Sequence, residues 1–137
     1  MSSPNVGRIT QVIGSTLDAQ FSEDSMPALY NALSVQVERT VLGEKSRETL
    51  WCEVAQHLGG GQVRAVSLGS TDGLQRGQEI TDSGSAVTVP VGLETLGRVF
   101  NLVGEPIDDR GPVTTTDRRA IHQLPPEMHE LSSKTEI

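Results

Sequence analysis

Aromatic side chains are scarce in this sequence. One Trp, one Tyr and two Phe amount to 3% of 137 residues. Any core must therefore be built from Val, Leu and Ile, and Trp51 and Tyr30 are too few to form a stacking platform for single-stranded nucleic acid. Lysine is scarcer still, with Lys45 and Lys134 the two present, and the net charge is −7. Such a chain lacks the cationic surface on which affinity for a phosphate backbone rests, so nucleic acid is excluded as a main partner. A single cysteine, Cys52, rules out an internal disulfide and fits a reducing compartment. No stretch approaches the roughly 20 apolar residues of a membrane helix. The polar start, Met1-Ser2-Ser3-Pro4-Asn5, is followed by no apolar run of signal-peptide length. These absences predict a soluble chain with no direct membrane insertion, able to sit on a membrane complex only through other subunits.

What is present reads first as short strands. Arg8-Ile9-Thr10-Gln11-Val12-Ile13 is β-branched and closed by Gly14-Ser15. Leu17 to Phe21 alternates apolar with polar, and Glu23-Asp24-Ser25 with Pro27 forms a turn cluster. Leu33, Val35 and Val37 share one face of a period-two run, as do Leu50, Cys52 and Val54 after a hairpin turn at Gly43-Glu44-Lys45-Ser46. Gly59-Gly60-Gly61 breaks the second of these and permits positive φ. Val63 to Leu68 and Gln78 to Thr81 supply two more strands, with a turn at Thr71-Asp72-Gly73 between them. Five or six short strands at close spacing, punctuated by Gly, predict a mainly β fold with a small closed barrel, taken as a six-stranded β-barrel, over residues 1–82. In that part six basic residues face ten acidic ones, for a net charge of −4.

Residues 83–137 have a different character. Val87, Val89 and Val91 alternate, with Pro90 arguing for an edge position. Leu96, Val99, Phe100 and Val103 fall at i, i+3, i+4 and i+7, which predicts a helix from Glu94 to Val103 that stops at Gly104. From Glu105 to Glu136 the chain reads mostly as loop, and Ser132 to Ile137 carries no cap or closing element. This part resembles the start of a domain without its end. The apolar content of 35% is low for a self-contained globule, and small domains are marginal on surface-to-volume grounds, so part of the chain is expected to need a partner.

No catalytic motif is complete. A phosphate-binding loop requires G-x-x-x-x-G-K-[S/T], but Glu44 separates Gly43 from Lys45, and Ser133-Lys134-Thr135 has no glycine before it. Gly59-Gly60-Gly61 fails the dinucleotide pattern, since Arg64 takes the third glycine position and a strand follows where a helix is needed. Cys52, His57, His122 and His129 have no metal-ligand spacing, and Ser133 stands where the second His of H-E-x-x-H would be. Cys52 on an alternating apolar face reads as a core residue rather than a nucleophile. Asp108-Asp109 beside Arg110 and Gly111 reads as a solvated turn more readily than as a cation site.

The order of motifs is more specific. Gly7-Arg8-Ile9-Thr10-Gln11-Val12-Ile13-Gly14, Pro27 to Leu33, Glu53-Val54-Ala55-Gln56-His57-Leu58-Gly59 and Ser70-Thr71-Asp72-Gly73-Leu74 are followed by Val89-Pro90-Val91-Gly92. Thr95-Leu96-Gly97-Arg98-Val99-Phe100-Asn101, Gly104-Glu105-Pro106-Ile107-Asp108 and Lys134-Thr135-Glu136-Ile137 complete the series. In this order they resemble the amino-terminal portion of the catalytic β subunit of the F-type, proton-translocating ATP synthase. Ser15, in place of a proline after Ile-Gly, and Leu93, where a charged or small residue is usual, depart from the pattern. The α subunit and related rotary and secretion ATPases share the Leu-Gly-Arg and Gly-x-Pro motifs; the Glu53 to Leu58 run and the Asn101 to Pro106 segment favour β.

The resemblance implies that residues 1–82 are the crown barrel of that subunit. It implies that 83–137 begins an α/β P-loop nucleotide-binding domain, truncated before the phosphate-binding loop. The expected partners are the α subunit and other β subunits in an alternating hexamer, and the central stalk subunit in the complete complex. The expected place is the cytoplasmic face of a bacterial inner or plasma membrane, with mitochondrial matrix and plastid stroma as alternatives. ATP, ADP and Mg2+ are implied for the complete family protein. No catalytic, cofactor-binding or metal residue of the family can be carried onto a position in this sequence, so the chain alone is expected to be inactive. The alternative reading is a stand-alone β-barrel interaction module without nucleotide chemistry.

Overall fold

The structure, a computed structural model, describes residues 4–41 and 43–131. Alternating side chains build the wall of a closed barrel. Its strands are β1 (Asn5–Ile13), β2 (Thr16–Gln20), β3 (Asn31–Val41), β4 (Glu44–Gly59), β5 (Gln62–Ser67) and β6 (Glu79–Ala86). They are ordered β1-β2-β5-β4-β3-β6, and β6 returns to β1. Every pairing is antiparallel. Closure pairs the strand edges that an open sheet would leave exposed.

The faces predicted by alternation are the faces buried. Leu33, Val35 and Val37 from β3 meet Leu50, Cys52 and Val54 from β4 inside the barrel. Ile9, Leu17, Ala19, Val63, Ala65 and Ile80 fill the rest, and Phe21 adds an aromatic ring. Gly7, paired with Ile80 across β1 and β6, has no room for a side chain: a Cβ there would lie 2.8 Å from the Phe21 ring. The turn cluster before Pro27 forms a single 3-10 turn at Glu23–Ser25. Gly59, Gly60 and Gly61 all have positive φ and carry the chain from β4 into β5. The last barrel strand is longer than the sequence indicated, running past Thr81 to Ala86, which pairs with Asn31.

Beyond the barrel, β7 (Thr88–Pro90) and β8 (Arg118–Ala120) form a two-stranded antiparallel sheet. Pro90 sits in this small sheet, where a missing N–H is tolerated. β8 lies in the stretch the sequence presented as loop.

The predicted helix from Glu94 to Val103 is absent. One 3-10 turn at Leu93–Thr95 is followed by a hairpin-like loop in which Phe100 bridges to Pro106. Leu96 is 73% exposed and Val99 55% exposed, so the apolar stripe is not a buried helix face. Two causes are visible. Gly97, in the middle of the predicted helix, has φ 71, outside the right-handed helical region. Side chains also capture the backbone donors a helix would need. Asp108 Oδ2 accepts from the Val99 N–H at 3.2 Å, and Asn101 Oδ1 accepts from the N–H groups of Val103 (3.1 Å) and Glu105 (2.8 Å). Gly104 therefore closes a loop and not a helix. Among the described residues no helix is long and apolar enough to cross a membrane.

Candidate functional site

The residues that could have carried chemistry are committed elsewhere. Cys52 is fully buried in the barrel, and burial pushes its thiol up to about 12, far from the thiolate a nucleophile needs. His57 lies outside the barrel, where its Nε2 donates to the Pro27 carbonyl at 2.7 Å. His129 is exposed, with Nδ1 3.3 Å from Glu127 Oε2. Gly43 turns β3 into β4, so Lys45 and Ser46 lie on a strand, where no cradle of N–H groups can form around a phosphate. Ser133-Lys134-Thr135 lies outside the described residues. Among the described residues, no three His, Cys, Asp or Glu side chains converge as metal ligands would.

Asp108 is not part of a solvated turn. Arg98 grips it with two hydrogen bonds, Nε to Oδ2 at 2.6 Å and Nη2 to Oδ1 at 2.9 Å, and the Arg110 N–H adds a third at 3.2 Å. Both side chains of the pair are largely buried. The Arg98 hydrogen bonds, above all, hold the Asp108 carboxyl well below the usual carboxylate range. With Asn101 and Glu105 bonded to each other at 2.8 Å, the loop from Arg98 to Asp108 is a locked knot. Its apolar members Val99, Leu102 and Ile107 face outward, as does Leu96 just before it.

A second ion pair braces the barrel wall. Arg64 on β5 binds Asp18 on β2 through two hydrogen bonds of 2.8 Å. Asp18 is the buried charged residue of the barrel, and the Arg64 hydrogen bond lowers its pKa. Register explains the contact, since Asp18 and Arg64 are direct cross-strand partners.

The barrel and the later segment face each other across a cleft of about 440 Å³. Ala32, Trp51 and Ser85 line the barrel side, and Pro90, Val103 and Arg118 line the other. Arg118 is occupied by Thr88, its Nε bonding the hydroxyl at 3.0 Å and its Nη2 the carbonyl at 2.8 Å. Elsewhere between the two parts, His122 Nε2 lies 2.9 Å from Glu53 Oε2, and its ring stands 4.3 Å from that of Tyr30. Nothing in the sequence signalled this contact, because its partners are 69 positions apart. Among the described residues, the lining of the cleft carries two charged side chains, Glu105 and Arg118, and no His or Cys. These two charged lining side chains already have partners, Arg118 on Thr88 and Glu105 on Asn101 at 2.8 Å.

Residues 9–84 match the family model described as the ATP synthase alpha/beta family, beta-barrel domain. The match runs from the first core residue of β1, Ile9, into β6, the strand that closes the barrel. It spans more than half of the sequence, and the closed six-stranded barrel is the fold it calls for. This chain belongs to the ATP synthase alpha/beta family.

Proposed function

We propose that this chain is the amino-terminal part of an F-type ATP synthase β subunit and serves assembly of the catalytic hexamer. The complete subunit would make ATP from ADP and phosphate, with Mg2+, using a transmembrane proton gradient. The barrel would join α and β barrels in an alternating ring, and the segment after it would lead into the nucleotide-binding domain, which the central stalk drives through its conformational cycle. The complex would be peripheral to a membrane, on the cytoplasmic face in a bacterium.

One observation carries this reading: a family barrel closed on its own core continues into a segment whose apolar side chains are uncovered. Leu93 and Leu96 are exposed by 82% and 73%, and Leu124 and Met128 by 91% each. Large apolar side chains left this open in one 36-residue stretch, Leu93 to Met128, favour burial against something else. The order of motifs, with Glu53 to Leu58 and Asn101 to Pro106, favours β over α. Sequencing the gene past Ile137 tests it. An open frame that soon encodes a phosphate-binding loop is expected; an immediate stop codon contradicts the reading. The stand-alone barrel module predicts instead that residues 1–82 fold as a monomer, with 83–137 dispensable.

A further inference from the structure

We propose that the segment after the barrel is a hinged strap, and that Tyr30, Glu53 and His122 form the latch that holds it shut. Three features combine. First, the strap joins the barrel at Ser83-Gly84-Ser85-Ala86, a run of small residues at the end of β6 in which Gly84 has φ 73. Small residues at an element's end are where hinges absorb backbone rotation. Second, the strap meets the barrel across the cleft of about 440 Å³ and not through an interdigitated core. Third, beyond β8 the strap touches the barrel through His122, which lies 2.9 Å from Glu53 and 4.3 Å from the Tyr30 ring.

Tyr30 marks this contact as more than incidental. Its φ is 69, a left-handed conformation that a bulky residue seldom adopts, and the ring is half exposed. Strain of this kind persists only where the surroundings impose it, and it gathers at clamps and switches. Here the backbone imposes it: the Tyr30 N–H donates to the Val54 carbonyl at 2.8 Å and the Asn31 N–H to that of Ala28 at 3.1 Å. The result is a ring aimed at the strap. The next residue, Asn31, pairs with Ala86 at the hinge, so one turn touches both the latch and the pivot. Within the strap, Ile121 N–H to Val87 O (3.0 Å) and Val91 N–H to Asp117 O (3.0 Å) bind β7 to β8, so the strap can swing as a unit.

Trp51, the chain's one tryptophan, lines the cleft and reports its opening. Acrylamide quenching of Trp51 fluorescence in the 137-residue chain tests the latch. His122→Ala is expected to raise the quenching constant at least twofold with the barrel's unfolding midpoint unchanged. Tyr30→Gly is expected to raise quenching as well, yet leave the barrel no less stable, because glycine accepts the left-handed backbone. Tyr30→Cys with His122→Cys provides the internal control, since Cys52 is buried and unreactive. Quenching should be high before joining by a short bis-maleimide and fall to the wild-type level after it. The proposal is overturned by equal quenching in wild type and His122→Ala, or by a cross-link that leaves quenching unchanged.

Discussion

Replacing Ile80 with Ala probes the barrel where it closes. Ile80 is fully buried on β6, the strand that pairs with β1 on one side and β3 on the other. The substitution removes three carbons, worth about 0.8 kcal/mol each on transfer from water, or roughly 2.4 kcal/mol. The space left behind adds a cavity cost of ~24 cal/mol per Å³, which is about 1 kcal/mol if ~40 Å³ stays open. Collapse is restricted because the residue facing Ile80 is Gly7, which has no side chain to move into the gap. The expected loss is therefore about 3 kcal/mol, a large share of the stability of a domain this size. Urea unfolding followed by far-UV circular dichroism gives the number by linear extrapolation. A lower midpoint with unchanged slope and one cooperative transition is the expected result. A loss below about 1 kcal/mol, or fraying of β6 alone with the other strands intact, would refute the argument that closure makes the barrel one packed unit.

Other perturbations separate the parts of the account. Asp18→Asn should lower the unfolding midpoint at pH 7. The paired carboxylate is held below its ordinary pKa, so its contribution is present above an unfolded value of about 3.9 and fades as pH falls through the folded value. The gap between wild type and Asp18→Asn should therefore close below about pH 4, and a gap constant down to pH 2 would contradict the pairing. Gly104→Ala places a Cβ 2.5 Å from Pro90 Cδ at a φ of +76. It should cost about 1–2 kcal/mol locally, read as roughly tenfold faster hydrogen exchange at the Val91 and Ile121 amides. Arg98→Ala should unlock the knot and speed trypsin cleavage after Arg110, leaving the barrel's melting unchanged. In the wild-type chain, trypsin should cut after Arg110, Arg118 and Arg119 before any barrel arginine; equal protection of both parts would count against an uncovered second segment.

The barrel was legible because its signal is periodic and local. Leu33, Val35, Val37 and Leu50, Cys52, Val54 announce a buried face by alternation alone, and Gly43 and Gly59 to Gly61 announce the turns. The same logic misled at Leu96, Val99, Phe100 and Val103, whose helical spacing is coincidental. What decides that loop is Asp108 reaching back to Arg98 and Val99, ten and nine residues away, with Gly97 left-handed between the predicted turns. β8 is three residues long and carries two arginines, too short for a period to show. The Asp18–Arg64 pair depends on the register of strands separated by two others in sequence. The His122 contact depends on the strap folding back across the barrel. Pairwise geometry of this kind leaves no trace in spacing, whereas the order of motifs along the chain carries the family resemblance by itself.

The proposed role is assembly as part of an F-type ATP synthase β subunit. Sedimentation velocity of the purified chain mixed with an F-type ATP synthase α subunit tests it most directly. The chain is expected to co-sediment with α through its barrel, and added chain to compete with full-length β and lower the yield of hexamer. A chain that sediments alone at every ratio, while full-length β assembles normally in its presence, would contradict it.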